Sequence, residues 1–240
     1  AGLMTNRNTT QEPPLIGPIC SFPDYTREEP WRIFRIMAEL VDSFETMSKQ
    51  GPLVTIFGSA RTTPENVHYQ SARKLGNLLA EAGYGVLTGG GPGIMQAGNE
   101  GAFEKNGISV GLNITLPMEQ HPNQFQTTSL DFRYFFIRKV CFLKYSVAIV
   151  VYPGGFGTFD EFSEALTLMQ TNKIRRVPLV VVGRKFWEPL LEWFRGTLVR
   201  EGMIHEEDLN IFKVVDTAEE AFHFIKKCHS RGISTTVMDD

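Results

Sequence analysis

Short apolar runs alternate with longer amphipathic segments along most of this chain. Continuous apolar runs are typical of strands that are buried on both faces of a parallel sheet. The strands predicted in this way are Leu53–Phe57, Tyr84–Thr88, Ile108–Ile114, part of Phe125–Phe132, Val147–Tyr152, Leu179–Val182 and Ile211–Val215. Because strands alternate with helices, we expect an α/β fold: a Rossmann-like, doubly wound parallel sheet of about seven strands with helices on both faces.

The segments between these strands carry apolar residues at helical spacing. The first begins at Pro30 and ends near Gly51, and its apolar residues are Trp31, Phe34, Met37, Val41 and Phe44. We expect Thr63 to cap the next helix, with Pro64 in its first position. The predicted helices after the first run from Thr63 to about Ala82, Ile94 to about Lys105, Arg133 to Tyr145, Phe159 to about Thr171, Phe186 to Arg200 and Ala218 to Lys227.

Residues 30–229 are expected to form one domain, since no linker divides them. Residues 1–29 have no periodicity and predict an irregular arm, in which Leu15, Ile16 and Phe22 are able to dock. Ala1–Leu3, ahead of Met4, resemble a remnant of cloning. Residues 230–240 predict a frayed tail.

Charge and cysteine content narrow the classes of function. The chain has 240 residues, 24 basic and 27 acidic, for a net charge of −3. This balance argues against nucleic acid or an anionic membrane as a partner. The three cysteines have no CxxC spacing, and no histidine pair has the spacing of a metal site, so we expect no metal. The cysteine content, with no visible signal peptide or membrane span, predicts a cytoplasmic protein.

Three turns of small residues follow predicted strands: Gly58-Ser59, Gly89–Gly93 and Pro153–Thr158. In doubly wound sheets, ligands bind at the carboxyl ends of the strands. A glycine turn that opens a helix is suited to an anion, because free backbone N–H groups and the helix dipole favour negative charge there. Neither the dinucleotide fingerprint nor the GxxxxGK[ST] phosphate loop is present.

Glu161 has two interpretations. Thr158-x-x-Glu161 matches a capping box, in which the glutamate folds back on the helix N-terminus, and spacing alone favours this structural role. Alternatively, Glu161 lies one turn into the helix and faces a bound group. Asp160 points about 100° away, which predicts a solvated or supporting position.

Arg138-Lys139 interrupts an otherwise apolar helix. The pair is either a solvated polar stripe or an arginine fork for phosphate or a substrate ring, and the residues alone do not decide. Glu119 and Asn123 lie in a polar loop after a strand, where binding residues are common but polar residues are also the default.

Taken in order, these motifs resemble the Lonely Guy (LOG) family of cytokinin riboside 5′-monophosphate phosphoribohydrolases, long labelled possible lysine decarboxylases. Pro153–Glu161 is similar to the family's PGGxGTxxE signature, Gly89–Met95 to its GGGxxGxM segment, and Arg138-Lys139 to its Arg-Lys pair. The arm, the loop around Glu119 and the extended C-terminus resemble the longer bacterial branch.

The resemblance implies hydrolysis of the N-glycosidic bond of a purine nucleoside 5′-monophosphate, such as AMP or a cytokinin nucleotide, without a cofactor. It implies that Arg138 and Glu161 are catalytic. The substrate-binding residues it suggests are Gly58, Ser59, Gly90, Gly91, Met95, Glu119, Asn123, Lys139, Pro153, Gly154, Gly155, Gly157, Thr158 and Thr167. It also implies a homodimer or higher oligomer, for which the helices Arg133–Tyr145 and Phe159–Thr171 are the candidate interface.

Two other classes stay open. A non-catalytic carrier of a nucleotide or of molybdenum cofactor would have the same fold and would bind without turnover. A pyridoxal-phosphate-dependent lysine decarboxylase lacks support, because no lysine lies in a recognisable Schiff-base context.

Overall fold

A computed structural model describes residues 31–115 and 121–230 of the chain. The strands are β1 (Leu53–Phe57), β2 (Gly85–Thr88), β3 (Ser109–Ile114), β4 (Thr128–Phe132), β5 (Ser146–Val151), β6 (Leu179–Val182) and β7 (Phe212–Val215). They form a parallel sheet in the order β4-β3-β2-β1-β5-β6-β7. The predicted α/β fold, doubly wound and with about seven strands, is confirmed.

Helices cover both faces of this sheet. They are α1 (Arg32–Met47), α2 (Val67–Glu81), α3 (Ile94–Glu104), α4 (Phe135–Tyr145), α5 (Phe156–Gln170), α6 (Arg184–Trp193) and α7 (Ala218–Ser230). A π-helical stretch, Phe194–Val199, continues α6, and a 3₁₀ turn spans Glu206–Asn210.

Two apolar layers enclose the sheet. Along β1, Leu53 and Phe57 belong to the layer that α1, α4, α5 and α6 complete, whereas Val54 and Ile56 belong to the layer of α2, α3 and α7. All five residues of β1 are buried. A strand covered on both faces needs apolar side chains at successive positions, which explains the continuous runs in the sequence.

The strand order reverses between β1 and β5. The chain adds β2, β3 and β4 on one side of β1 and then returns to place β5 on the other side. Phe57 pairs with Val151 at the carboxyl ends of these two strands. The turns that follow β1 and β5 therefore emerge side by side, at the switch point where such sheets bind ligands.

The start of α2 differs from the prediction. Asn66, and not Thr63, is the capping residue: its Oδ1 accepts a hydrogen bond from the His68 N–H at 2.8 Å. Thr63 lies in the preceding turn, where its carbonyl accepts from the Asn66 N–H at 3.0 Å. Both residue types cap helices well, and the turn decides between them.

Two other helices also depart from expectation. The helix predicted to reach Arg200 keeps α-helical bonding only to Trp193, and it contains Pro189, which has no N–H to donate. In α1 the predicted period is correct, but Trp31, Phe34 and Met37 are exposed. The face of α1 that enters the core carries Phe44 from the predicted set, together with Ile36, Leu40 and Met47.

Some predictions fall on residues that the structure does not describe. These are the arm before Trp31, Glu119 in the loop after β3, and the tail after Ser230. Among the described residues, no helix is both long and apolar enough to cross a membrane.

Candidate functional site

Backbone hydrogen bonds join three turns at the switch point. The Ser59 N–H, after β1, donates to the carbonyl of Pro153, after β5, at 3.0 Å. The Ile94 N–H, at the start of α3, donates to the carbonyl of Ser59 at 3.0 Å. The turns after β1, β2 and β5 therefore form one connected surface.

Glycine is required where these turns touch. Gly93 has φ +69°, and a Cβ there would collide with the carbonyl of Ser59. A Cβ on Gly58 would overlap the side chain of Ile94. Only residues without a side chain allow the backbones to approach this closely.

The connected turns border a cleft of about 970 Å³. Its polar side includes Ser59, Arg61, Arg138, Thr158 and Glu161. Its aromatic and apolar lining is contributed by Phe135, Phe156, Phe159, Phe186, Trp187 and Leu190. An apolar cleft with a few convergent polar groups is typical of a small-molecule site.

The N-terminus of α5 opens into this cleft. The helix begins at Phe156 with Gly155 as its N-cap, and the first helical hydrogen bond runs from the Phe159 N–H to the Gly155 carbonyl at 3.0 Å. The N–H groups of residues 156–158 come before that bond, so they have no partner within the helix. They form a site suited to an anion.

The position of Thr158 excludes the capping-box interpretation of Glu161. Thr158 lies inside the first turn of α5 rather than at its N-cap, and Gly155 offers no side chain to cap the helix. Glu161 therefore lies beyond the first turn, where it cannot fold back to cap the helix. Its side chain lines the cleft instead.

Arg138 and Glu161 both line the cleft, and each has a buried polar atom without a partner among the described residues. Nε of Arg138 and Oε2 of Glu161 are both buried and have no hydrogen-bond partner in the part of the chain that the structure describes. Arg138 lies over the ring of Phe142, 5.2 Å from its centroid, and reaches the backbone of Gly89, where a Cβ would collide with it. Buried polar groups are nearly always paired, so these two are suited to a ligand.

Burial sets the ionisation of this pair. It raises the pKa of Glu161 to about 7, an effect that the positive charges of Lys139 and Arg138 partly oppose. Burial also lowers the pKa of Arg138, against the attraction of Glu161. A carboxyl group that titrates near neutrality in a cleft is a common property of catalytic sites.

Lys139 points to α5 and not into the cleft. Its Nζ lies 2.8 Å from Oδ2 of Asp160 and 2.9 Å from Oε2 of Glu164. Burial alone would lower the pKa of Lys139, but these two carboxylates raise it above its ordinary value. The pair Arg138-Lys139 is therefore not a solvated stripe.

A buried polar network supports the turn after β2. The carbonyl of Gly90 accepts from the Asn123 N–H at 2.8 Å, from Nδ2 of Asn123 at 3.0 Å and from Nε2 of Gln126 at 2.9 Å. Nδ2 of Asn123 also donates to Oδ1 of Asn99 at 3.0 Å. These bonds fix the turn through residues that do not line the cleft.

The structure brings most of the predicted site residues together. Those that line the cleft are Gly58, Ser59, Met95, Arg138, Gly154, Gly155, Gly157, Thr158 and Glu161. Those that are described but lie outside its lining are Gly90, Gly91, Asn123, Lys139, Pro153 and Thr167. Thr167 is exposed on α5, and its hydroxyl donates to the carbonyl of Ser163 at 2.8 Å.

Sequence reasoning missed several residues of the cleft. Arg61 lines it and follows directly on the Gly58-Ser59 turn, so its position was a usable signal. Phe135, Phe186 and Leu190 come from α4 and α6, far apart in sequence. Nothing local marks them, because only the fold brings these two helices to the same cleft.

Fold and site together define a Rossmann-like α/β protein with a turn suited to an anion and a buried carboxyl group at the switch point. The model of the family described as "Possible lysine decarboxylase" matches residues 95–225, and the chain belongs to this family. This is the label that the resemblance to LOG proteins implied.

Individual relatives agree with this family. An uncharacterized protein of Archaeoglobus fulgidus is 30% identical over 121 residues, which cover 50% of this chain and 78% of the relative. The pyrimidine/purine nucleotide 5′-monophosphate nucleosidase of Escherichia coli K12 is 26% identical over 192 residues, which cover 74% of this chain but only 41% of the nucleosidase.

Solved structures share the fold. The molybdenum cofactor binding protein of Rippkaea orientalis superposes with a TM-score of 0.57 at 19% identity, covering 75% of this chain and 99% of that one. The Moco carrier protein of Chlamydomonas reinhardtii gives 0.54 at 22% identity, covering 75% and 98%. At these identities the likeness extends to the fold alone.

The family label raises the question of pyridoxal phosphate. That cofactor is held in decarboxylases by a lysine that forms a Schiff base. No lysine lines the cleft among the described residues, and Lys139 is engaged by two carboxylates on α5. The residues present do not fit the cofactor.

Proposed function

We propose that this protein hydrolyses the N-glycosidic bond of a purine nucleoside 5′-monophosphate, releasing the free base and ribose 5-phosphate. One observation carries the proposal: an anion site at the N-terminus of α5 and the buried, unpaired carboxyl of Glu161 open into the same cleft. The first suits a phosphate, and the second suits a cationic transition state.

The chemistry follows from these two features. Breaking the bond between C1′ of the ribose and the base nitrogen gives a transition state with oxocarbenium character, as in glycosidases. The ionised carboxylate of Glu161 stabilises that positive charge and orients the attacking water. The water supplies a hydroxyl to C1′, and its remaining proton is transferred to the departing base.

Positioning of the substrate is the other contribution to catalysis in this proposal. A 5′-phosphate bound at residues 156–158 fixes the ribose relative to Glu161, and holding the reacting groups in register lowers the barrier. Arg138, with its unpaired Nε, donates to the substrate beside that carboxylate. In this arrangement the phosphate lies at the turn and Glu161 lies at the ribose. A negative side chain can therefore serve a site that binds an anion.

Support also comes from the comparison with known proteins. The relative in Escherichia coli is named a nucleotide 5′-monophosphate nucleosidase, although this chain spans only 41% of it. The aromatic side of the cleft offers stacking and apolar contact for a base. It is suited equally to adenine and to the isoprenylated adenine of cytokinins.

We assign different roles to predicted residues outside the lining. Asn123 holds the Gly90 turn, and Pro153 accepts from Ser59, so both position the site rather than contact the substrate. Glu119 stays a candidate for base recognition, and it belongs to the residues that the structure does not describe.

We also propose a homodimer through α4 and α5. Phe135, Phe136, Val140 and Phe159 on these helices are exposed, and burial of such apolar surface drives association. A second copy at this face would also cover Thr167. Analytical ultracentrifugation is expected to give a dimer, and a monomer at micromolar concentration contradicts this proposal.

A substrate panel tests the proposed reaction. AMP, GMP, CMP, UMP and isopentenyladenosine monophosphate are incubated with the protein, beside the corresponding nucleosides, and ribose 5-phosphate and free base are quantified. We expect release from purine monophosphates, and loss of release from nucleosides, which cannot use the anion site. Tight binding of nucleotide without any release favours the carrier alternative.

A further inference from the structure

Lys139 occupies an unusual position between two acidic residues of α5. Its ammonium group contacts Asp160 and Glu164 at 2.8 Å and 2.9 Å, and its side chain is only 16% exposed. In the sequence of α5, Glu161 lies between these two partners. Lys139 does not line the cleft, so any effect on the reaction must act through another residue.

The charges around Glu161 come from three elements. The positive charges of Lys139 and Arg138 on α4 lower the pKa of Glu161, and the negative charges of Glu164 and Asp160 on α5 raise it. Arg61 lines the same cleft from the turn after β1. Without Lys139, three carboxyl groups would share one face of α5, opposed on α4 by Arg138 alone.

We propose that Lys139 is a positioning residue that keeps Glu161 ionised at neutral pH by neutralising the carboxylates on either side of it. The ion pairs also hold α4 against α5, which fixes Arg138 opposite Glu161. This inference deepens the proposed function and rests on it, because it assigns the active form of Glu161 as the carboxylate.

In a poorly solvated site, nearby charges strongly affect whether a carboxyl group is ionised. Nearby carboxylates disfavour ionisation of a carboxyl group, and a nearby cation favours it. Burial already raises the pKa of Glu161 to about 7, so it stands at the edge of ionisation. Removing the ammonium group of Lys139 would favour the protonated form of Glu161 at neutral pH, and that form cannot stabilise a cation.

Direct titration of Glu161 tests this inference. Protein labelled with ¹³C at the glutamate side-chain carboxyl is titrated by NMR, and the Glu161 resonance is assigned from its loss in Glu161→Gln. We expect Lys139→Met to move the midpoint to higher pH by about one pH unit or more, and Lys139→Arg to leave it near the wild-type value. Lys144→Met, on the same helix, is the matched control and is expected to leave it unchanged.

An unchanged midpoint in folded Lys139→Met overturns the inference. If that variant does not fold, Asp160→Asn replaces it: this side chain is 62% exposed, and its loss removes a like charge and frees Lys139 for Glu161. The midpoint then moves to lower pH, and an unchanged midpoint again overturns the inference.

Kinetics separate this inference from the proposed reaction. If the wild-type protein releases base, the acidic limb of its kcat/KM profile is expected to shift with the NMR midpoint in each variant. If no nucleotide is hydrolysed, the proposed function fails, whereas the titration still gives a result for Lys139.

Discussion

At the scale of single residues, burial determines what Glu161 can do. The capping box read from Thr158 and Glu161 was a reasonable local interpretation, because the spacing is the same in both roles. What decided between them was the start of α5 at Phe156, which moves Thr158 into the helix. That start depends on the turn after β5, which is hydrogen-bonded to the turn after β1, and no local pattern contains this pairing.

The ionisation of Glu161 predicts a pH-dependent rate. With a pKa of about 7, Glu161 loses its proton as pH rises through neutrality, and the carboxylate is the form that stabilises a cation. We therefore expect kcat/KM to rise with pH, to be half-maximal near pH 7 and to level above about pH 8. A pH–rate profile with AMP checks this, and a rate already at its maximum near pH 5 contradicts it.

The same residue predicts a pH-dependent stability. Between its ordinary pKa near 4.5 and its folded value of about 7, Glu161 binds a proton in the native state that the unfolded chain lacks. The free energy of unfolding therefore falls as pH rises through this window, by about 2 kcal/mol for this group.

Urea unfolding of wild type and Glu161→Gln at about pH 5 and about pH 8 measures this contribution. We expect the wild type to lose more stability than Glu161→Gln over that interval, because glutamine does not titrate. Equal losses of unfolding free energy in the two proteins would show that folding does not raise the pKa of Glu161.

At the scale of elements, the glycine turns were the most predictable part of the site. Their position after apolar runs identified them as strand ends, and their residue type indicated close approach. The sequence did not show which helices pack together around these turns. Lys139 contacts Asp160 and Glu164 only because α4 packs beside α5. Pairings between elements have no signature within either element.

The turn before α5 gives a prediction of its own. A Cβ on Gly155 meets no atom of the chain within 4 Å, and Gly155 lines the cleft. Gly155→Ala should therefore fold normally but place a methyl group in the proposed phosphate site. We expect an unfolding free energy within about 0.5 kcal/mol of wild type and a KM for AMP raised about tenfold.

Gly196→Ala is the matched control for this substitution. Its Cβ also meets nothing within 4 Å, but Gly196 lies in the π-helical stretch, away from the lining of the cleft. We expect it to leave KM unchanged. If Gly155→Ala and Gly196→Ala have the same KM, the turn after β5 is not part of the substrate site.

At the scale of the whole molecule, the alternation of strand and helix was sufficient for the fold class. The order β4-β3-β2-β1-β5-β6-β7 follows the rule for doubly wound sheets, and it places the switch point at β1 and β5. The cleft could not be predicted from the sequence, because its aromatic residues come from three separate helices, α4, α5 and α6. The sequence also does not indicate which face of α1 is buried, because both faces of that helix carry apolar residues.

The central claim is that one cleft both binds a nucleotide and breaks its glycosidic bond. The most direct measurement is base release in a single turnover, with protein in excess over AMP, for wild type and Glu161→Gln at neutral pH. Isothermal titration of AMP accompanies it.

The account predicts stoichiometric release of adenine and ribose 5-phosphate by the wild type, and a rate at least about 100-fold lower for Glu161→Gln with AMP binding retained. A wild type that binds AMP without releasing adenine, or a Glu161→Gln variant that releases it at the wild-type rate, would contradict the account.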